Sequence, residues 1–129
     1  MIVVDTSVWV ALLRNDASDA VRTLREVRDP GQLIVGDLVL LECLQGARND
    51  AHSRQIEARL RAFRIEPMLD PDLAVDGARN YRALRAKGIT PRKTVDLVIA
   101  SYCIRHGHRL LHQDRDFDPM VAHLGLRLA

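Results

Sequence analysis

Aromatic residues are scarce in this chain. One Trp, two Tyr and two Phe make up 4% of it, and that poverty excludes modules that read single-stranded nucleic acid by stacking bases on aromatic platforms. Cysteine is nearly absent as well. Cys43 and Cys103 stand far apart in apolar stretches, with no CxxC pair and no zinc-ligand spacing, so both read as buried free thiols. No apolar run approaches the roughly 20 residues that a membrane helix requires. The opening Met1-Ile2-Val3-Val4-Asp5 lacks the basic stretch that begins a secretory signal, which makes a cytoplasmic location without a membrane partner the expectation. Net charge is small too: 19 Lys and Arg against 17 Asp and Glu leave +2, too little to mark a nucleic-acid binder. No linker, low-complexity tract or repeat divides the sequence, so one domain over residues 1–129 is expected.

What is present is skewed. Apolar residues at 47% and charged residues at 28% suit a globular core and exclude a disordered chain. Within the charged set, 17 of the 19 bases are Arg and 13 of the 17 acids are Asp. Arg suits bidentate phosphate contacts, although the codon bias of a GC-rich genome explains its excess equally well. Short Asp side chains suit hard cations.

Hydrophobic patterning alternates strands and helices. Ile2-Val3-Val4 is a short buried strand ending at Asp5, and Thr6 or Ser7 can cap the helix that follows. Ala17, Ala20, Val21, Leu24 and Val27 share one helical face, closed by Pro30-Gly31. Leu33-Ile34-Val35 is a second strand, and Gly36-Asp37 opens a helix that carries Glu42 and ends at Gly46. An Arg-rich helix is expected over 51–64 and a short strand between Ile65 and Leu69. Asp70-Pro71 starts a helix that Gly88 stops. Thr94 caps another, which puts Asp96 in its first turn. Arg109 to His112 is a strand, the acidic segment Asp114 to Pro119 runs into a short helix, and Leu126 to Leu128 closes the sheet. The fold class is therefore α/β: a central, mostly parallel twisted sheet of four or five short strands, covered by helices on both faces.

That architecture gathers acids. Ligands of open parallel sheets bind outside the carboxyl ends of the strands, where strand order reverses. Asp5 and Asp114 follow strands directly. Glu42 lies one turn into the helix after the second strand, and Asp96 starts a helix leading into a later one. All four can share one sheet edge. Grouped carboxylates repel and raise one another's pKa unless a cation neutralises them. Oxygen donors without a Cys or His pattern favour Mg²⁺ or Mn²⁺ over zinc, and metal-assisted phosphodiester hydrolysis is the matching reaction. Asp37 and Asp70 read as helix caps instead. Glu42, among Leu40, Leu41, Cys43 and Leu44, has no evident partner in sequence.

Four segments together resemble a PIN domain, and within that family the VapC-like toxins of toxin–antitoxin pairs. They are Ile2-Val3-Val4-Asp5-Thr6-Ser7-Val8-Trp9, Glu42 within Leu41-Glu42-Cys43-Leu44, Asp96-Leu97-Val98-Ile99-Ala100, and Leu110-Leu111-His112-Gln113-Asp114-Arg115-Asp116-Phe117. The resemblance implies a Mg²⁺- or Mn²⁺-dependent endoribonuclease, a small antitoxin partner and a homodimer. By position, Asp5, Glu42, Asp96 and Asp114 are then the acidic ligands and Asp116 a supporting one. Thr6 or Ser7 orients Asp5 or a metal-held water. The family often carries Thr or Ser where His112 stands, which leaves the fourth ligand open among Asp114, Asp116 and Asp118.

The remaining signals are weaker. Arginines at three-residue spacing (Arg22, Arg25, Arg28; Arg79, Arg82, Arg85) mark solvated helix faces. Arg92 and Lys93, just before Asp96, are the candidate RNA contacts. His106 and His108 flank a glycine at a helix end, and Trp9 reads as core. The alternative function is a non-catalytic PIN-like module whose acidic cleft grips a basic peptide. A receiver-like or small phosphohydrolase domain would need a second acid two residues after Asp5, where Ser7 stands.

Overall fold

Ile2–Val4 (β1) is buried on both sides, as three consecutive β-branched side chains allow only in a sheet covered on both faces. In the computed structural model, which describes residues 1–129, β1 is the middle of five strands. The others are Leu33–Gly36 (β2), Arg64–Glu66 (β3), Arg109–Leu111 (β4) and Arg127–Leu128 (β5), in the order β3-β2-β1-β4-β5. Every pairing is parallel, so the sheet is wholly rather than mostly parallel. The reason lies in the connections. Each contains at least one helix, which returns the chain to the same edge before the next strand.

The seven helices are Thr6–Leu13 (α1), Asp19–Glu26 (α2), Asp37–Gln45 (α3), Asp50–Leu60 (α4), Pro71–Ala86 (α5), Thr94–His106 (α6) and Asp118–Leu124 (α7). The chain steps from β1 to β2 to β3 in one direction, then crosses to the far side of β1 to lay down β4 and β5. Right-handed crossovers therefore put α1–α4 on one face and α5–α7 on the other. The main helix contacts agree: α1 with α2 and α3, α3 with α4, α5 with α6 and α7. Both layers close on one core whose largest buried side chains include Trp9, Phe117, Leu60, Leu73 and Leu84. Each such side chain stabilises the fold by about 1.5–3 kcal/mol. Trp9 packs with its ring centroid 5.0 Å from that of Phe63, as core.

Local boundaries differ from the sequence reading in several places: α2 starts only at Asp19 and leaves out Ala17, β4 stops at Leu111 short of His112, and β5 starts at Arg127 rather than Leu126. Asp5, not Thr6 or Ser7, caps α1, because its Oδ2 accepts from the Ser7 backbone N–H. The second helix ends at Glu26, and Pro30-Gly31 instead forms a short 3₁₀ turn. The fourth ends at Leu60, so Arg64 belongs to β3, which stops at Glu66. Lys93 rather than Thr94 is the residue before α6. The expected caps hold elsewhere: Asp70 Oδ1 accepts from Leu73 N–H at 2.8 Å, with Pro71 at the first helical position. Asp37 is structural, as expected, though by a different contact. Its Oδ1 accepts from Leu38 N–H and, across the fold, from Met68 N–H at 3.1 Å.

Candidate active site

The strand order reverses at β1, so the carboxyl ends of β1 and β4 border the crevice such sheets reserve for ligands. Register pairs Val4 with Leu111, which sets Asp5 and His112 side by side as the strands end. Asp5, Glu42, Asp96 and Asp114, distant in sequence, all line one cleft of about 200 Å³ together with Thr6, Ser7, Val10 and Lys93. Asp96, Asp114 and Asp116 come closest: one oxygen from each lies within 4.8 Å of the other two. Asp118 is exposed in the first turn of α7 and stands outside this group.

Each carboxylate is held by its own element. Asp5 is 4% exposed. Its Oδ2 accepts from Ser7 N–H at 3.0 Å and from the Ser7 hydroxyl at 2.5 Å. Ser7 Oγ in turn accepts from Gln113 N–H at 3.2 Å, so one hydroxyl ties the end of β1 to the segment after β4. Thr6 serves a different acid: its Oγ1 donates to Glu42 Oε1 at 2.7 Å. Glu42 therefore has the partner its sequence neighbourhood failed to show, supplied from 36 residues away. Asp114 caps a 3₁₀ turn over Arg115–Phe117, its Oδ1 accepting from Asp116 N–H at 2.9 Å, and that bond is the main reason its pKa is lowered. His112 faces this turn. Its Nδ1 accepts from Asp114 N–H at 3.0 Å and its ring packs 5.0 Å from Phe117, so it performs the loop-pinning task a Thr or Ser hydroxyl could perform there.

Asp96 is the energetic outlier. It is 5% exposed and its Oδ2 is buried without a hydrogen-bond partner. Burial pushes its pKa up to about 7. Lys93 opposes that shift, while Asp5, Asp114 and Glu42 add to it. Lys93 Nζ lies 4.0 Å from Asp96 Oδ2 and 3.5 Å from Asp114 Oδ2, and this acidic company raises the lysine's own pKa, Asp96 contributing most. A buried carboxylate oxygen left unpaired costs about 1–3 kcal/mol or more, a burden an enclosing fold sheds if a cation enters. The donors here are hard oxygens, and the buried thiol of Cys43, which follows Glu42, is a poor competitor. Burial and the neighbouring Glu42 and Asp5 push its pKa up to about 12. The donor set fits a small divalent cation.

Comparison with known proteins identifies the family. The PIN domain family matches residues 2–121. The chain belongs to that family. Among curated relatives of this PIN domain, a VapC ribonuclease of Mycobacterium bovis and ribonuclease VapC11 of Mycobacterium tuberculosis are each 34% identical over 134 aligned positions, covering 100% of this chain and 98% of theirs. Solved structures share the fold at lower identity. VapBC2 from Rickettsia felis, bound to a promoter DNA fragment, superimposes with TM-score 0.80 at 17% identity, covering 100% of this chain and 98% of that one. VapBC-1 from nontypeable Haemophilus influenzae gives 0.77 at 18%, covering 100% and 97%.

Sequence reasoning missed three features of the PIN domain's site. The division of labour between Thr6 and Ser7 depends on where α3 lies and has no sequence signal. The His112 contact could have been anticipated from its two-residue spacing to Asp114. Arg92 does not line the acidic cleft. It borders a neighbouring recess with Arg115, and only Lys93 faces the carboxylates. No helix is long and apolar enough to cross a membrane.

Proposed function

We propose that this protein is a divalent-cation-dependent endoribonuclease of the VapC type, with Mg²⁺ or Mn²⁺ held by Asp5, Asp96, Asp114 and Asp116. The observation that carries the proposal is the buried, unpartnered Asp96 Oδ2 at the centre of a carboxylate cluster. A polar interior is retained at that cost where a ligand completes it. A cation bound there supplies charge neutralisation at the phosphoryl oxygens and a lowered pKa for an attacking water.

The chain's own residues supply the rest. Ser7 fixes the rotamer of Asp5, and Thr6 that of Glu42, so neither acid needs to reorganise when RNA arrives. Glu42, half-buried and held at Oε1, is the acid we assign to receive or return a proton near the reacting phosphate. Lys93, with Nζ 3.5 Å from Asp114 and 4.0 Å from Asp96, is the internal counter-ion of these acids and a cation would share that task. The reaction needs no covalent nucleophile from the protein.

The partner reading follows from the same cleft. Solved structures that share the fold include toxin–antitoxin complexes, and we infer that a small antitoxin lays a basic segment into the acidic cleft, with the toxin itself a homodimer. A groove of about 430 Å³ that shares Val10 with the cleft is lined by Leu13, Cys43 and Ile56 together with Arg14, Arg48 and His52, and offers a partner both apolar and basic contacts beyond the acids. A module that only grips a basic peptide would not need a carboxylate buried as deeply as Asp96.

The test is RNA cleavage by the purified protein with Mg²⁺ or Mn²⁺. Cleavage should stop with EDTA and fall by about 10²–10³-fold, the loss expected when a charge-stabilising group is removed, in Asp5→Asn or Asp96→Asn proteins that retain their fold. EDTA-sensitive cleavage that survives Asp96→Asn unchanged would sink the assignment. Diffraction from Mn²⁺-soaked crystals would name the ligands through the anomalous signal.

A further inference from the structure

A recess of about 120 Å³ opens beside the carboxylate cluster, bordered by Arg92, Arg115, Thr90 and Asp116 between the rigid corners Pro91 and Pro119. The two arginines come from different elements: Arg92 from the loop before α6, Arg115 from the 3₁₀ turn after β4. Neither makes an ion pair, which they share with ten other arginines, but these two line the same small recess beside the acids, and the neighbouring Lys93 is committed to Asp96 and Asp114. Asp116 belongs both to the recess lining and to the close three-carboxylate group, so the recess lies one side chain from that group.

We propose that Arg92 and Arg115 bind the RNA phosphate adjacent to the scissile one and so fix the register of the strand across the carboxylate cleft. This rests on the nuclease reading above. A polyanion approaching Asp5, Glu42, Asp96, Asp114 and Asp116 is repelled. A cation held by those acids answers the reacting phosphate, and the neighbouring phosphate requires a cation of its own. The guanidinium fork matches phosphate geometry, and the recess has room for a phosphate group but not for a whole nucleotide. Such contacts position a strand without reading its bases, which suits a chain with few aromatics.

The experiment uses a labelled single-stranded oligoribonucleotide and the Arg92→Gln/Arg115→Gln double variant, both positions being exposed and outside the core. In EDTA, where nothing is cleaved, the variant should bind about tenfold more weakly. The slope of log affinity against log salt should shrink by about 0.7, the value for one single-strand phosphate. With Mg²⁺ or Mn²⁺, KM should rise about tenfold with kcat unchanged, and the Arg92→Lys/Arg115→Lys protein, which keeps the charge but not the fork, should restore the salt slope while recovering only part of the affinity. Affinity and salt slope equal to those of the unsubstituted protein would overturn the proposal, as would a fall in kcat at constant KM. Binding that follows the arginines without any metal-supported cleavage would support this subsite while overturning the nuclease reading.

Discussion

Asp96 is where the fold spends stability on chemistry. Its pKa of about 7 means that the folded protein binds a proton there more readily than the unfolded chain does, between the ordinary carboxylate value and neutrality. Across that window the native state holds more protons, so this residue's contribution to stability falls as pH rises and is lost above about pH 7. His108 works in the opposite direction. Burial lowers its pKa, so the unfolded state takes up the proton first and its contribution grows with pH. Comparing the unsubstituted protein with Asp96→Asn isolates the acid. In EDTA, thermal melts should show the unsubstituted protein losing stability relative to the variant between pH 5 and pH 8. A difference that stays constant over that range would contradict the assigned ionisation. The same residue illustrates a limit of sequence: its place in the first turn of a helix suggests only a favourable dipole contact. What surrounds the orphaned oxygen is the cleft shared with Asp5, Glu42 and Asp114, residues brought there from other segments of the chain.

At the scale of elements, the site depends on how β2 hands over to α3. Gly36 ends the strand and precedes the helix with φ −69°, a backbone any residue can adopt. Its requirement is space. A Cβ at this position would overlap the side chain of Met68, which is 2% exposed and whose backbone N–H donates to Asp37 Oδ1. Gly36→Ala should therefore destabilise the protein by about 1–3 kcal/mol through overpacking, read as a lower denaturant midpoint with unchanged slope. Gly46→Ala, at the other end of α3, is the control. Its Cβ would meet backbone oxygens only at 3.6 Å or beyond, and the midpoint should barely move. Equal effects at the two positions would refute the packing argument. The elements themselves were largely legible, because β-branched runs and 3.6-residue periodicity are local signals. Their ends were not. Whether Thr6, Ser7 or Asp5 caps α1 depends on which side chain the β4 loop draws away, and Ser7 is engaged by Gln113.

On the scale of the whole molecule, the net charge of +2 conceals a segregation. Five acids converge at one sheet edge, while eight of the 17 arginines lie on helices and two others stand without an ion pair beside the cleft. Because the acids come from four separate stretches of chain, a cation that binds them should brace the native state as a unit. Free cation at a hundredfold over its dissociation constant would add about 2.7 kcal/mol. Millimolar Mn²⁺ or Mg²⁺ should accordingly raise the melting temperature, EDTA should reverse the rise, and Asp96→Asn should abolish it. A melting temperature indifferent to both metals would favour the peptide-gripping alternative. The sequence alone determined the alternation of strands and helices, the identity of the acids and their placement at the strand ends, since each follows from a run of neighbouring residues. Only the tertiary structure decided the pairing of Thr6 with Glu42, the exclusion of Asp118, the pinning of Asp114 by His112 and the separation of Arg92 from Lys93. Those outcomes depend on distances between segments far apart in the chain, which are set by how the two helical layers close on the sheet.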